Sequence, residues 1–190
     1  IEDINYIKKN HPKLHIKYRN NDLYIIGEFE MKARFKNETL EDSFFLEFSI
    51  PASYPNDFPK VKSLDEKIST TYHTNPDGCL CLGTEANIYE IFNKERTLKN
   101  FMENILIHFL YRFSYIKKNG KEPYRDKSHG IEGVLEYYFE KFETRNKNIV
   151  LKILGNYLGL LRFNKKWCYC KSGKKYQNCH FLKINELFEL

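Results

Sequence analysis

The feature that most constrains the fold of this 190-residue chain is a change in hydrophobic periodicity near its middle. Before residue 64, segments rich in aromatic and β-branched residues alternate apolar and polar side chains, which is typical of strands with one packed face. After residue 97, apolar residues recur every three or four positions, which predicts helices. Strands followed by helices predict an α+β domain, in which helix covers one face of a four-stranded antiparallel meander.

The predicted elements, in chain order, are a short N-terminal helix, four strands and three helices. Their predicted bounds are 2–11, 14–17, 22–32, 43–50, 60–64, 97–118, 131–144 and 148–163. Thr97 is the predicted N-cap of the longest helix, and Asn119-Gly120 is its predicted end. The segment between the last strand and Thr97 shows neither period, so it is predicted to be irregular.

Composition favours a folded protein with a sizeable core, since 42% of the residues are hydrophobic. The net charge of +6 comes from lysines scattered along the chain, which indicates solvated faces rather than a nucleic-acid partner. No apolar run reaches the roughly 18–20 residues of a membrane span, and the acidic N-terminal residues do not resemble a signal peptide. The five cysteines lie in close-spaced groups rather than in a secreted disulfide framework, which predicts a reducing cytoplasm.

Two of the cysteines, Cys79 and Cys81, follow a polar stretch that reads His-Thr-Asn-Pro-Asp-Gly. Such residues form turns at the surface, so a thiol just after them can meet a substrate, and its thiolate is a nucleophile. Alternation places both thiols on one side of an extended chain, with Cα atoms nearly 7 Å apart, at the limit for a disulfide. The residues alone leave three readings open: Cys81 as nucleophile, Cys79 as nucleophile, or a buried core cysteine.

Two segments resemble the ubiquitin-conjugating enzyme family. Residues 54–61 read Tyr-Pro-Asn-Asp-Phe-Pro-Lys-Val, which is similar to the family's proline-rich turn, and residues 73–82 are similar to its His-Pro-Asn and Gly-x-Ile-Cys-Leu segments. The resemblance implies the ubiquitin-conjugating fold and a thioester-forming nucleophile at Cys81. It also implies that the Asn75 amide steadies the oxyanion when a lysine attacks, while His73 holds the turn in shape.

The segment also departs from the family in ways that point to particular relatives. Thr74 stands where the family has proline, and the gap from His73 to Cys81 is shorter than in typical eukaryotic members. Shortened versions resemble bacterial relatives in anti-phage operons, as does the tract Ser-His-Gly-Ile-Glu-Gly that contains His129. For His129, a further catalytic role and a structural role at a helix start both stay open.

The bacterial resemblance also implies partners. The acyl donor would be the C-terminus of a ubiquitin-like protein or of a cyclic-nucleotide synthase, and the acceptors would be lysines of target proteins. An activating enzyme would act in trans, if one is needed, because no glycine-rich nucleotide loop follows a strand. The alternative function is a non-catalytic adaptor with the same fold that binds a protein partner.

A second cluster lies at residues 167–180, which read Trp-Cys-Tyr-Cys-Lys-Ser-Gly-Lys-Lys-Tyr-Gln-Asn-Cys-His. Three sulfurs and one nitrogen suit a closed, tetrahedral, structural zinc site, and Ser-Gly turns the chain so that both halves share one ion. The segment resembles the SEC-C motif. The predicted zinc ligands are Cys168, Cys170, Cys179 and His180. Free reduced cysteines in a tail are the simpler alternative.

The resemblances together divide the chain into a ubiquitin-conjugating-like domain at 1–145, a helical connector at 146–166 and the SEC-C knuckle at 167–190. The knuckle either docks a partner or staples the C-terminus to the preceding helix, and the sequence leaves both roles open.

Overall fold

The computed structural model describes residues 2–19, 22–124, 130–159 and 167–188. Within these ranges the chain has a mixed α+β structure with a four-stranded antiparallel sheet, as predicted. The strands are β1 (Leu14–Arg19), β2 (Asp22–Phe35), β3 (Glu38–Ile50) and β4 (Lys60–Ser63). The α-helices are α1 (Glu2–Asn10), α2 (Glu85–Phe92), α3 (Leu98–Phe101), α4 (Ile107–Asn119), α5 (Gly130–Lys141), α6 (Lys147–Tyr157) and α7 (His180–Phe188).

The chain divides into two compact units. The first unit contains Ile1–Gly83 and Ile91–Asp126, and the second contains Thr84–Glu90 and Lys127–Leu190. These units are defined by packing, whereas the predicted domain bounds rest on resemblance, so those bounds stay a prediction. Within the described residues, no helix is long and apolar enough to cross a membrane.

The sheet of the first unit is a simple meander in the order β1-β2-β3-β4. Alternate residues of β2 and β3 are buried, so the predicted period of two is confirmed. Both strands extend further toward their connecting turn than predicted, because the residues next to the turn also pair in register, from Ala33 with Leu40 to Phe35 with Glu38. Gly27 is required where β2 meets the chain before β1, since a Cβ there would lie 2.1 Å from the Lys13 carbonyl oxygen.

The long helical stretch at 98–119 packs against β2 and β3. Thr97 caps it as predicted, accepting a hydrogen bond from the Asn100 N–H at 3.1 Å, and left-handed Gly120 ends it. The Asp3 carboxylate on α1 accepts from the Leu98 N–H at 2.8 Å, which ties the two helices together. Within the 98–119 stretch, residues Met102–Leu106 form a π-helix, which the apolar spacing did not indicate.

Two of the α-helices were not predicted from the sequence. The stretch predicted to be irregular contains α2, which is too short for a clear period, and α7 begins at His180, the last predicted zinc ligand. Helix α5 ends earlier than the predicted residue 144, because Glu143 adopts a left-handed conformation with φ 50°. Helix α6 ends at Tyr157, before the predicted residue 163, and Gly159 is left-handed with φ 69°. His129 lies outside the described residues.

The second unit has its own small core. Its buried members come from the residue just after α5, from α6, from α7 and from the cysteine-rich segment: Phe142, Val150, Ile153, Cys168, Tyr176 and Ile184. The Tyr176 side chain is almost fully buried, and its hydroxyl donates to the Ile153 carbonyl oxygen at 3.4 Å. The cysteine-rich segment is therefore packed into this unit rather than hanging from it.

Candidate functional site

Residues 73–81 form a short hairpin that presents the two neighbouring thiols. The Cys81 N–H donates to the His73 carbonyl oxygen at 2.6 Å, and the Asn75 N–H donates to the Cys79 carbonyl oxygen at 2.8 Å. At the tip, the Gly78 N–H donates to Asn75, and Gly78 is left-handed with φ 80°. This pattern is a tight turn closed by a glycine bulge, so the Asn-Pro-Asp-Gly sequence forms the surface turn that was predicted.

Neighbouring residues hold this hairpin in place. Asp77 accepts from the Cys79 N–H at 3.0 Å and from the Lys60 ammonium at 3.1 Å. On the outer edge, the Leu80 N–H donates to the Val61 carbonyl oxygen of β4 at 2.7 Å. The hairpin is therefore attached to the sheet on the side of its returning strand.

The two thiols have different environments. Cys79 is buried, with 5% of its surface exposed, and burial together with the nearby Asp77 carboxylate raises the pKa of its thiol. Cys81 is half-buried and lies at the end of the hairpin. Because a nucleophile must be accessible, the burial of Cys79 and the raised pKa of its thiol argue against Cys79 as the nucleophile.

His73 lies opposite Cys81 and has an unusual backbone, with φ 43°. The Arg112 guanidinium donates from Nη1 to His73 Nε2 at 2.8 Å. Since arginine only donates, Nε2 must be the accepting nitrogen, which leaves the proton of the neutral ring on Nδ1. In this arrangement Nε2 is occupied, which suits the expected role of holding the turn.

Arg112 itself was not singled out in the sequence. It is buried and makes a two-pronged pair with Glu122, Nε to Oε2 at 2.8 Å and Nη2 to Oε1 at 2.7 Å. The available signal was an arginine within an aromatic run of the predicted long helix. Buried arginines require partners, but the sequence does not say which acids or rings lie nearby.

Asn75 is exposed at the tip of the hairpin. It faces Cys79 in the hairpin register and is a diagonal neighbour of Cys81, a relation that places Cα atoms about 7–8 Å apart. Within the described part of the chain, its side chain makes no hydrogen bond. The backbones of Asn75 and Cys81 are therefore neighbours in the hairpin, and none of the described residues orients the Asn75 amide by a hydrogen bond.

The proline-rich turn that precedes the hairpin is anchored in the first unit. The Tyr54 hydroxyl donates to Asp3 Oδ2 at 2.5 Å, and the Tyr54–Pro55 peptide bond is cis. The Tyr54 and Phe58 rings pack against Phe92, with centroids 6.3 and 6.4 Å away. The turn therefore packs by aromatic contacts against Phe92, the last residue of α2.

The four predicted metal ligands lie together in the second unit. Their ligand atoms are all within 4.8 Å of one another. The Sγ atoms of Cys170 and Cys179 are 3.7 Å apart, and the Sγ of Cys179 is 3.4 Å from Nδ1 of His180. Zinc–ligand lengths of about 2.0–2.3 Å give tetrahedral edges of about 3.6–3.8 Å, so these spacings fit one ion. The Sγ of Cys168 is nearer to Nδ1, at 3.0 Å.

A buried contact orients the histidine of this cluster. His180 Nε2 lies 2.8 Å from the Phe142 carbonyl oxygen, which can only accept, so Nε2 carries the proton. Nδ1 is then the unprotonated nitrogen and faces the sulfurs. Support of this kind, in which the second ring nitrogen donates to a backbone carbonyl, is usual for metal-bound histidines. The arrangement can therefore bind a metal ion.

The thiols of the cluster titrate differently. Burial raises the pKa of Cys168 to about 11. Burial also acts to raise the pKa of Cys170, but hydrogen bonds from Ser172 and from the neighbouring thiols outweigh it and lower that pKa to about 6. A cluster that already stabilises one thiolate is suited to a cation, because metal binding requires deprotonated sulfur.

Comparisons with known proteins do not identify a family for this chain. No protein-family model matches it. No curated protein matches it either.

Proposed function

We propose that this chain is a ubiquitin-conjugating-like acyltransferase with the ubiquitin-conjugating fold and that Cys81 carries the thioester. The observation that supports this proposal most is the half-buried Cys81 thiol at the end of the 73–81 hairpin. The proline-rich turn at 54–61 precedes that hairpin as it does in the family. The bacterial resemblance supports a role in anti-phage defence in the cytoplasm.

The reaction has two acyl transfers. The Cys81 thiolate attacks the activated C-terminal carbonyl of a ubiquitin-like protein or of a cyclic-nucleotide synthase, supplied in trans as a thioester or an acyl adenylate. The donor's thiolate or adenylate leaves, and a thioester forms on Cys81. The neutral amine of a target lysine then attacks this carbonyl. The Cys81 thiolate departs, the nitrogen loses a proton, and an isopeptide bond remains.

Two residues of the hairpin support these steps. The Asn75 amide, exposed beside the thiol, donates a hydrogen bond to the oxyanion that develops when the lysine attacks. The His73 carbonyl holds the Cys81 backbone, while the His73 ring takes no part in proton transfer.

For the second unit we propose a structural zinc site of the SEC-C type, with Cys168, Cys170, Cys179 and His180 as ligands. Four protein ligands fill a tetrahedral zinc ion, so the ion supplies stability rather than chemistry. The packing of Cys168 in the core and the bond from His180 to Phe142 support the stapling role over the docking role.

A trapping experiment with the proteins encoded beside this gene tests the acyltransferase. The wild-type chain should form an adduct that thiols cleave, and Cys81→Ser should form a stable ester or none. Cys79→Ala is the matched control, because it removes the neighbouring thiol and should leave the adduct in place. A thiol-sensitive adduct on Cys81→Ala would refute the assignment.

The second candidate is a non-catalytic adaptor with the same fold, which binds a protein partner through a zinc-bearing unit. The observation that favours it is the Asn75 side chain, which no described neighbour orients. Labelling by iodoacetamide separates the two functions. Rapid labelling of Cys81 in the native protein supports the enzyme, whereas protection of Cys81 until unfolding supports the adaptor.

A further inference from the structure

Arg112 is a buried charge that binds residues on different segments, and its guanidinium also lies over the Tyr72 ring, 5.9 Å from the ring centroid. Only 7% of its surface is exposed, and its guanidinium binds Glu122 through two nitrogens and His73 through the third. The planar fork of arginine fixes the angle between these partners, which a lysine ammonium cannot do. The His73 ring is therefore held at a set position relative to α4.

The backbone of His73 depends on what holds its ring. A left-handed conformation at a residue other than glycine is unfavourable and persists only where the surroundings impose it. The contacts of the His73 ring include the aromatic rings of Tyr72, at 4.7 Å, and Phe109, at 6.2 Å between centroids. The aromatic contacts fill space around the ring, whereas the Arg112 hydrogen bond sets its orientation.

The hairpin has two separate backbone supports at neighbouring positions. The Cys81 N–H donates to the His73 carbonyl oxygen, and the Leu80 N–H donates to the Val61 carbonyl oxygen. The first support depends on the conformation of His73, and the second depends on β4. A change in the position of the His73 ring should therefore weaken the hydrogen bond of the Cys81 N–H and leave the hydrogen bond of the Leu80 N–H unchanged.

We propose that Arg112 is a positioning residue for Cys81, acting through the His73 ring and then the His73 carbonyl. The consequence for acyl transfer depends on the function proposed above, but the positioning itself does not. Glu122 supports this role of Arg112, because it neutralises the buried guanidinium and fixes the plane of the group.

Amide hydrogen exchange, measured by NMR under native conditions, tests the positioning. In Arg112→Met, exchange of the Cys81 amide should rise by about tenfold or more, while exchange of the Leu80 amide stays within about twofold. The carbon and nitrogen shifts of the His73 ring should show a change of tautomer population, since Nε2 has lost its donor. Lys118→Met is the matched control, because it removes another α4 cation, paired with Glu38 at 3.0 Å, and should change neither amide.

Two outcomes would overturn the proposal: an unchanged Cys81 amide, or equal increases at Cys81 and Leu80, which would indicate general loosening. If Arg112→Met does not fold, Glu122→Gln provides the second variant, with a smaller increase confined to Cys81. Arg112→Lys should restore only part of the protection, because it lacks the fork.

The rate of acyl transfer is measured separately from amide exchange. If wild type transfers acyl groups, Arg112→Met should slow the transfer by about tenfold, in step with the looser Cys81 backbone. If wild type shows no transfer, the proposed function fails, yet the exchange result still decides whether Arg112 positions Cys81.

Discussion

Removal of metal from the Cys168, Cys170, Cys179 and His180 cluster should unfold the second unit and leave the first unit folded. The second unit spans 84–90 and 127–190. At about 0.05–0.15 kcal/mol per residue, a unit of this size has a total stability of about 4–10 kcal/mol. Zinc binding at a structural thiolate site contributes about 10–16 kcal/mol at neutral pH. The ion's contribution therefore equals or exceeds the whole stability, so the metal-free unit is expected to be unfolded.

The structure shows why the loss should spread beyond the ligands. Cys168 is part of the buried core, beside Phe142 and Ile184. His180 is the first residue of α7 and is bonded to the Phe142 carbonyl oxygen. Without the ion, this buried histidine and three clustered thiols no longer share a cation, and α7 loses its attachment to the end of α5.

Metal content and amide exchange provide the assay. Cys170→Ser removes one ligand at a half-buried position, so the packing loss is small, and serine is a poor zinc ligand. Wild type should contain about one zinc per chain, and the variant much less. Exchange of the α7 and α6 amides should become fast in the variant, while α4 in the first unit stays protected. The single tryptophan, Trp167, adjoins Cys168 and should show lower fluorescence anisotropy.

Cys79→Ala is the control, since it removes a buried thiol outside the cluster and should leave zinc content unchanged. Chelation of wild type should reproduce the Cys170→Ser result. If a chelator strips the ion while the α7 amides stay protected, the ion is not structural and the reasoning is refuted. A folded second unit that never contains metal would refute the site itself.

Two further predictions concern the first unit. Asn75→Ala should slow transfer to lysine by about 10²–10³-fold and leave iodoacetamide labelling of Cys81 unchanged, because the amide acts on the oxyanion and not on the thiol; equal losses in both assays would contradict this role. Burial alone would raise the pKa of Asp42, but hydrogen bonds from Lys67 and Ser114 outweigh it and lower that pKa. A lowered folded-state pKa adds stability above the unfolded-state value, and this stability is lost as pH falls through the folded-state value. Acid unfolding below about pH 4 should therefore be less steep in Asp42→Asn, measured by denaturant titration at several pH values; an unchanged slope would contradict it.

Most of the secondary structure of the first unit could be predicted from the sequence. The strands and the long helix carry their periods in the residues that face the core, and Thr97 and Gly120 carry local signals for the helix ends. Helix α2 was not readable, because eight residues cover little more than two turns and give no reliable period. The π-helical segment could not be predicted either, since it keeps the same apolar residues buried as an α-helix would.

The candidate sites also contain some features that the sequence indicated and others that it left open. The four candidate metal ligands could be named because they lie within 13 residues and their spacing is local. The choice between Cys79 and Cys81 was open in the residues alone, since alternation treats the two thiols alike. Burial of Cys79 distinguishes them, and burial depends on the segments that pack around the hairpin.

The sequence by itself determined the α+β class, the antiparallel meander, the surface turn at 75–78 and the set of possible metal ligands. All of these depend on period, turn chemistry or short spacing, which are properties of neighbouring residues. Only the tertiary structure decided that Arg112 meets both Glu122 and His73 and that Phe142 orients His180. These partners are 10 to 39 residues apart along the chain, and no local pattern records which distant side chains folding brings into contact.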